Sequence, residues 1–259
     1  MKVTILGCGA SGGTPTIGGV DGMGDWGICD QNNSKNLRLR ASILVELNNT
    51  KIIVDSSPDL RTQCLANGID KIDGVLFTHD HADHTHGIDE LRRLSFSTGS
   101  VIQIYGTNDT LVNLKNRFSY AFKERTAGYP PFINANNISD IDPFSIKDIN
   151  VIPYPQNHGL SISIGYRFDT IAYSTDLISL PNESYKCLSG IDILIIDALR
   201  YNPHPTHANV KTALSMIERI QPKRAILTHM SPDLDYQKLL EQLPESIEPA
   251  YDGMVIDLN

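Results

Sequence analysis

The stretch THDHADHTHG, residues 78–87, places four histidines and two aspartates in ten positions, directly after the apolar run GVLF. The whole chain has eight histidines, so half of them fall here. A solvated polar loop needs no such concentration, whereas imidazole and carboxylate together are the ligand set of zinc, manganese and iron. The fold must therefore bring the end of an apolar strand to a metal site.

Short β-rich runs dominate the first third: 3–7, 42–47, 51–57 and 74–79 read as strands, with NNT as the tight turn of a hairpin between the second and third. Pro58 and Gly68 bracket a helix. A second helix is expected from Gly87 through DELRRLS, and a third through NDTLVNLKNRFSYAF. The segment ERTAGYPPFINANNISDIDPF reads as an irregular surface excursion. Strands return in INVIPYP, SISIGYRF, TIAYSTD and DILIIDAL. They are followed by a helix through HANVKTALSMIERIQ, the strand RAILTHM, a helix around YQKLLEQL and a last strand MVIDL. No repeat or linker divides the chain. One α/β domain, residues 1–259, with two sheets and helices on their outer faces is the economical arrangement, because alternating β and α elements need both sheet faces covered.

Other metal-type donors lie at the ends of these strands. His158 follows INVIPYPQN, Asp176 follows IAYST and His229 follows AILT. On extended chain His79 and His81 point the same way, toward one metal, while Asp83 and His84 lie past a turn and can face a second. His158 and His229 are candidates for the third ligands. Asp176 can bridge two ions about 3.5–4 Å apart with its two oxygens.

Twenty-two basic against thirty acidic residues leave a formal charge of −8, the wrong sign for holding long nucleic acid by neutralising phosphates. Small substrates suit that balance better, and the oligomeric state is left open, a homodimer included. The N-terminal MKVTILGCGASGG has no signal-peptide pattern, and no apolar stretch approaches the length of a membrane span, so the expectation is a cytoplasmic protein without a membrane partner. The four cysteines, Cys8, Cys29, Cys64 and Cys187, form no C-x-x-C pair, and reduced thiols are expected.

The pattern H-x-H-x-D-H at His79, His81, Asp83 and His84, followed by His158, Asp176 and His229, resembles the metallo-β-lactamase superfamily. That resemblance implies an αβ/βα sandwich of two mixed β-sheets with a dinuclear site at one edge. His79, His81 and His158 would bind one metal, Asp83, His84 and His229 the other, with Asp176 between them. Asp83 is also a catalytic candidate, and Asp55 resembles a carboxylate that orients the metal loop without touching metal. Within the superfamily the chain is most similar to the phosphodiesterases of phosphonate utilisation, which open phosphoribosyl 1,2-cyclic phosphate. That likeness rests on LGCGASGGTP, THDHADHTHGIDELR, HPTHANVKTAL, ILTHMSPDLDY and AYDGM. Many of those enzymes carry a further zinc on clustered N-terminal cysteines. Here only Cys29 remains in that region, so no structural zinc is expected.

The implied activity is hydrolysis of small cyclic phosphodiesters with two divalent ions, zinc or manganese and also iron, and a metal-bound hydroxide as nucleophile. An alkoxide leaving group benefits from a general acid, and the resemblance places His207 in that role; the sequence alone does not choose it over His204. Endonuclease action like that of the tRNA 3′-processing enzymes, or lactonase or thioesterase action, is the alternative, since fold does not dictate substrate. Other residues carry weaker expectations. His86 starts a helix away from the site, and Gly7, Gly9, Gly12 and Gly13 read as a tight turn more than a phosphate loop. Arg200 with Tyr201, and the surface cluster Lys35, Arg38 and Arg40, are candidate phosphate contacts.

Overall fold

The computed structural model describes residues 1–124 and 128–258. Two seven-stranded mixed sheets face each other. The first has the order β14-β1-β2-β3-β4-β5-β6 and the second β13-β12-β11-β10-β9-β8-β7. The first is built from β1 (Lys2–Gly7), β2 (Ser42–Leu47), β3 (Thr50–Val54), β4 (Gly74–Leu76), β5 (Ile102–Gly106) and β6 (Ile133–Asn137), closed by β14 (Val255–Asp257). The second is built from β7 (Phe144–Ile146), β8 (Ile149–His158), β9 (Ser161–Phe168), β10 (Ile171–Ser174), β11 (Ile193–Asp197), β12 (Arg224–Thr228) and β13 (Ile247–Pro249). This is the expected αβ/βα sandwich.

Helices cover the outer faces. On the first sheet lie α1 (Leu60–Ala66), α3 (Leu91–Thr98), α4 (Asn108–Arg117) and α5 (Ser119–Phe122), while α2 (Ala82–Thr85) is a single turn in the loop after β4; α6 (Asn182–Cys187), α7 (Val210–Ile220) and α8 (Tyr236–Leu240) serve the second. The pattern in α7 shows why: Val210, Ala213, Met216 and Ile217 recur at helical spacing and are buried, and Asn209 caps the helix by accepting from the Thr212 amide. One apolar core, from Val3 and Ile5 to Ile226 and Ile256, fills the space between the sheets, and a second, including Leu60, Phe77, Leu91 and Leu111, lies under the helices of the first sheet. All five residues of β11 are buried, as expected for a parallel strand covered on both faces.

Several local expectations need correction. The helix read through 108–122 breaks at Phe118, whose backbone leaves helical geometry (φ −119°, ψ 37°). The excursion after it is not wholly irregular, because β6 pairs in parallel with β5 and Phe144 opens β7; its residues 125–127 lie outside the described residues. The short strand β13 was not anticipated. The hairpin turn is Asn48-Asn49, since Thr50 already pairs with Leu47, and Asn48 takes the left-handed conformation (φ 53°) such a turn requires. Among the described residues no helix is long and apolar enough to cross a membrane.

Candidate metal centre

Sheet topology creates the site. β10, β11 and β12 are adjacent and parallel, with Ser174 paired to Ile196 and Asp197 to Thr228, so their C-terminal ends lie level. Those ends carry Asp176, Asp197 and His229. Asp176 and His229 both sit at φ 56°, a left-handed conformation uncommon outside glycine, in which the chain turns sharply as each strand ends. The first sheet supplies the opposite wall. After β4 the chain runs into Thr78 and His79, held to the second sheet by the Ile164 amide donating to Thr78 O (2.9 Å) and Tyr166 Oη donating to Phe77 O (2.7 Å).

All seven expected ligands meet there. One group comprises His79, His81, His158 and Asp176, a second Asp83, His84, Asp176 and His229, with the donor atoms of each within 4.8 Å of one another. Asp176 divides its oxygens between them: Oδ1 lies 3.7 Å from His79 Nε2 and 3.8 Å from His158 Nε2, while Oδ2 lies 3.0 Å from His84 Nε2 and 3.4 Å from His229 Nε2. Asp83 Oδ2 stands 3.3 Å from His84 Nε2 and 3.5 Å from His229 Nε2.

The partners of the other ring nitrogens explain which atoms face inward. His84 Nδ1 donates to Asp55 Oδ2 at 2.7 Å, and Asp55 also accepts from the Thr78 amide and hydroxyl. His79 Nδ1 is 3.0 Å from the Thr78 hydroxyl, which gives its own proton to Asp55. His158 Nδ1 donates to the Thr206 carbonyl at 2.9 Å. Each of these rings therefore turns Nε2 toward the centre. The buried Nε2 of His79 has no hydrogen-bond partner, and those of His84 and His229 face only the carboxylates of Asp83 and Asp176. Orphaned nitrogens converging on carboxylates are costly unless a cation satisfies them, and the imidazole–carboxylate donor set fits divalent metals.

Electrostatics agree. Burial keeps the His79 and His158 rings below their ordinary pKa, hence neutral with a lone pair available. Burial alone would also lower His229, but Asp176, Asp83 and Asp197 outweigh it and push the ring to about 9. Burial would raise Asp83, yet His84 and His229 hold its carboxyl below the usual carboxylate range.

His207 stands beside these groups. Its Nδ1 donates to Asp197 Oδ2 at 2.8 Å, its Nε2 is 3.7 Å from Asp176 Oδ1, and its ring stacks on His229 with centroids 4.8 Å apart. It lies three residues before α7, whose cap is Asn209, so it does not cap the helix itself. His204 points at Thr206 and packs on His207 from outside, and exposed His86 lies against Phe118. Asp197 was missed by sequence reasoning, although DILIIDAL carries the same cue as Asp176, a carboxylate at the end of an apolar strand.

The weaker phosphate candidates are occupied elsewhere. Arg38, read as surface charge, is buried, and its guanidinium donates to Ser231 O, Leu234 O and Asn36 Oδ1. Arg40 pairs with Asp59, and Lys35 lies over the rings of Tyr236 and Tyr251. Arg200 donates to Asn202 O and Pro203 O of its own loop, and Tyr201 reaches Gln242. The glycine-rich start is a close approach of backbones: a Cβ on Gly7 would sit 2.1 Å from Arg40 O.

A family model described as Beta-lactamase superfamily domain matches residues 50–230. The octanoyltransferase of Porphyromonas gingivalis (strain ATCC BAA-308 / W83) is 32% identical over 257 residues, 98% of this chain and 51% of that protein, so the chain spans about half the length of this curated relative. Among solved structures, a diphosphatase from the PhnP family superposes with TM-score 0.88 at 35% identity, covering 98% of this chain and 96% of that one. The Zn(2+)-bound PqqB from Methylobacterium extorquens gives TM-score 0.79 at 18% identity, with both chains covered completely.

Proposed function

The chain belongs to the metallo-β-lactamase superfamily and is related to its PhnP family of hydrolases, and we propose that it hydrolyses small phosphodiesters, cyclic ones included, with two divalent cations. His79, His81 and His158 would hold one, Asp83, His84 and His229 the other, and Asp176 both. Residues 1–259 are taken as one domain, since a single core joins β1 to β14 across both sheets. The observation that carries the reading is the division of Asp176, whose two oxygens face two separate histidine groups. Two divalent cations held there would supply Lewis acidity and lower the pKa of water toward neutrality.

The chain's own residues supply the rest. Asp83, Asp176 and the rings set where a phosphoryl group can rest. His207, with Nδ1 committed to Asp197, has Nε2 free to protonate a departing alkoxide. A panel of a ribosyl cyclic phosphate, a 2′,3′-cyclic nucleotide, bis(p-nitrophenyl) phosphate, a lactone and a precursor tRNA, run with zinc and with manganese, tests the proposal. Turnover of the phosphodiesters is expected. Cleavage of the tRNA or the lactone alone would replace it.

One observation favours a second reading. The 35% identical structure is that of a diphosphatase, and a phosphoanhydride presents the same reacting phosphoryl group. Hydrolysis of a diphosphate-linked substrate belongs in the same panel; because phosphate leaves without a strong acid, that activity would depend little on His207. Octanoyl transfer is not proposed. That name belongs to a protein about twice as long, and the nearby Cys8 thiol is buried and pushed well above its ordinary pKa, unsuited to act as a nucleophile.

A further inference from the structure

The segment from Asp80 to His86 carries the ligand candidates His81, Asp83 and His84, and it is held at both ends from the place where α4 stops. Arg117, the last residue of α4, donates from Nη1 to the Asp80 carbonyl and from Nη2 to Asp80 Oδ2. One planar guanidinium thus fixes the main chain and the side chain of a single residue together. Phe118 follows it, packs against the core under the helices of the first sheet and meets the His86 ring edge-on, with centroids 5.3 Å apart. The end of the helix is anchored in the core, and two consecutive residues there grip the two ends of the segment.

The ligand candidates differ in what holds their rings. His79 has the Thr78 hydroxyl, His84 has Asp55 and His158 has the Thr206 carbonyl, while buried His229 is stacked between His84 and His207. His81 has no such support. It is exposed, and its ring meets only other ligand candidates, His79 and His158, with centroids 4.4 and 5.2 Å away. Its Nδ1 faces His158 Nε2 at 3.4 Å, and among the described residues nothing bonds its Nε2. The main chain must therefore place this ring. Downstream, His81 O accepts from the Thr85 hydroxyl at 2.8 Å and the His84 amide at 3.2 Å. Upstream, the hold is that of Arg117 on Asp80. An exposed ion pair adds little to stability, whereas loss of a group that orients a metal's ligands typically costs about 10- to 100-fold in metal affinity.

We propose that Arg117 is a positioning residue for His81, and that it sets the affinity of the His79, His81 and His158 site more than that of the neighbouring one. This rests on the two-cation reading above and adds to it a residue outside the ligand set.

Zinc is the probe. Zinc-loaded protein is equilibrated with graded chelator and its zinc is counted by elemental analysis. Wild type should hold about two ions per chain. Arg117→Ala, and Arg117→Gln with its stem kept, should release one of them at a free zinc concentration about tenfold or more higher, and hold the other as wild type does. In a His81→Ala background the Arg117 substitution should change nothing further. Equal weakening of both ions, weakening of neither, or a loss that persists without His81 overturns the inference. If wild type holds one ion or none, the two-cation reading falls, and histidine ring resonances of the metal-free chain decide the inference alone. Arg117→Ala should move those of His81 and leave those of His229 in place; an unmoved His81 would overturn the proposal.

Discussion

Asp197 Oδ2 accepts the Nδ1 proton of His207 at 2.8 Å, while its other oxygen stands 3.9 Å from His229 Nδ1. One carboxylate at the end of β11 thus holds the proton-transfer candidate and borders a metal-ligand candidate. It also accepts from the Leu177 amide, next to Asp176, at 3.3 Å.

From that relationship the two residues should fail in the same way. His207→Ala should retain its metals and lose about 10²- to 10⁴-fold in kcat on a substrate with an alkoxide leaving group, with a much smaller loss when p-nitrophenolate departs. Asp197→Asn removes the charge that orients the ring and should show a weaker form of the same leaving-group contrast. Equal losses on both substrates in either variant would assign these residues to support of the fold.

Metal content follows from the shared Asp176. Elemental analysis of metal-replete protein should give about two divalent ions per chain, and Asp176→Ala should lower this to about one or none. The pH dependence has a definite sign. Without a cation, neighbouring carboxylates hold the proton on His229, with a pKa of about 9, and raise His84 likewise, against the effect of burial. A cation must displace those protons, so affinity should rise with pH toward about 9 and fall in acid. Calorimetric titrations in buffers of different ionisation enthalpy should show proton release at pH 7; none would contradict the assigned ligands.

Arg38 should be a stability residue. Its guanidinium satisfies two carbonyls in the loop that follows His229, so Arg38→Ala leaves buried acceptors unpaired and a void, at a cost of about 2–5 kcal/mol. Chemical denaturation measures this. Arg38→Lys should rescue little, because an ammonium lacks the planar fork that reaches several acceptors at once.

Asp252 gives a second pH effect. Burial pushes its carboxyl up to about 7, although the amides of Cys8 and Leu39 donate to it. The unfolded value is about 3.9, so the unfolded chain loses this proton first as pH rises. The group's contribution to stability therefore falls between about pH 4 and pH 7 and is level above that, by about 4 kcal/mol at most. Urea titrations at pH 4.5 and 7.5 should show a smaller pH difference in Asp252→Asn than in wild type, and an equal difference would refute the raised carboxyl.

Residue by residue, the sequence determined the donors and the strands that carry them. His79, His81, His158 and His229 announce themselves because imidazoles at the ends of apolar runs have few other uses, and the β-rich runs between turn residues became strands. Contacts between distant segments decided what else the site contains. Asp197 became a partner of His207 only because β11 lies between β10 and β12, which places its last residue level with Asp176 and His229. Arg38 looked like surface charge until the loop at 231–234 closed over it, and the helix after β5 ends at Phe118, which packs against the core of the first sheet. Local pattern records which groups prefer to be buried or to bind metal. Which of them meet depends on strand order and burial, which neighbours in the sequence do not encode.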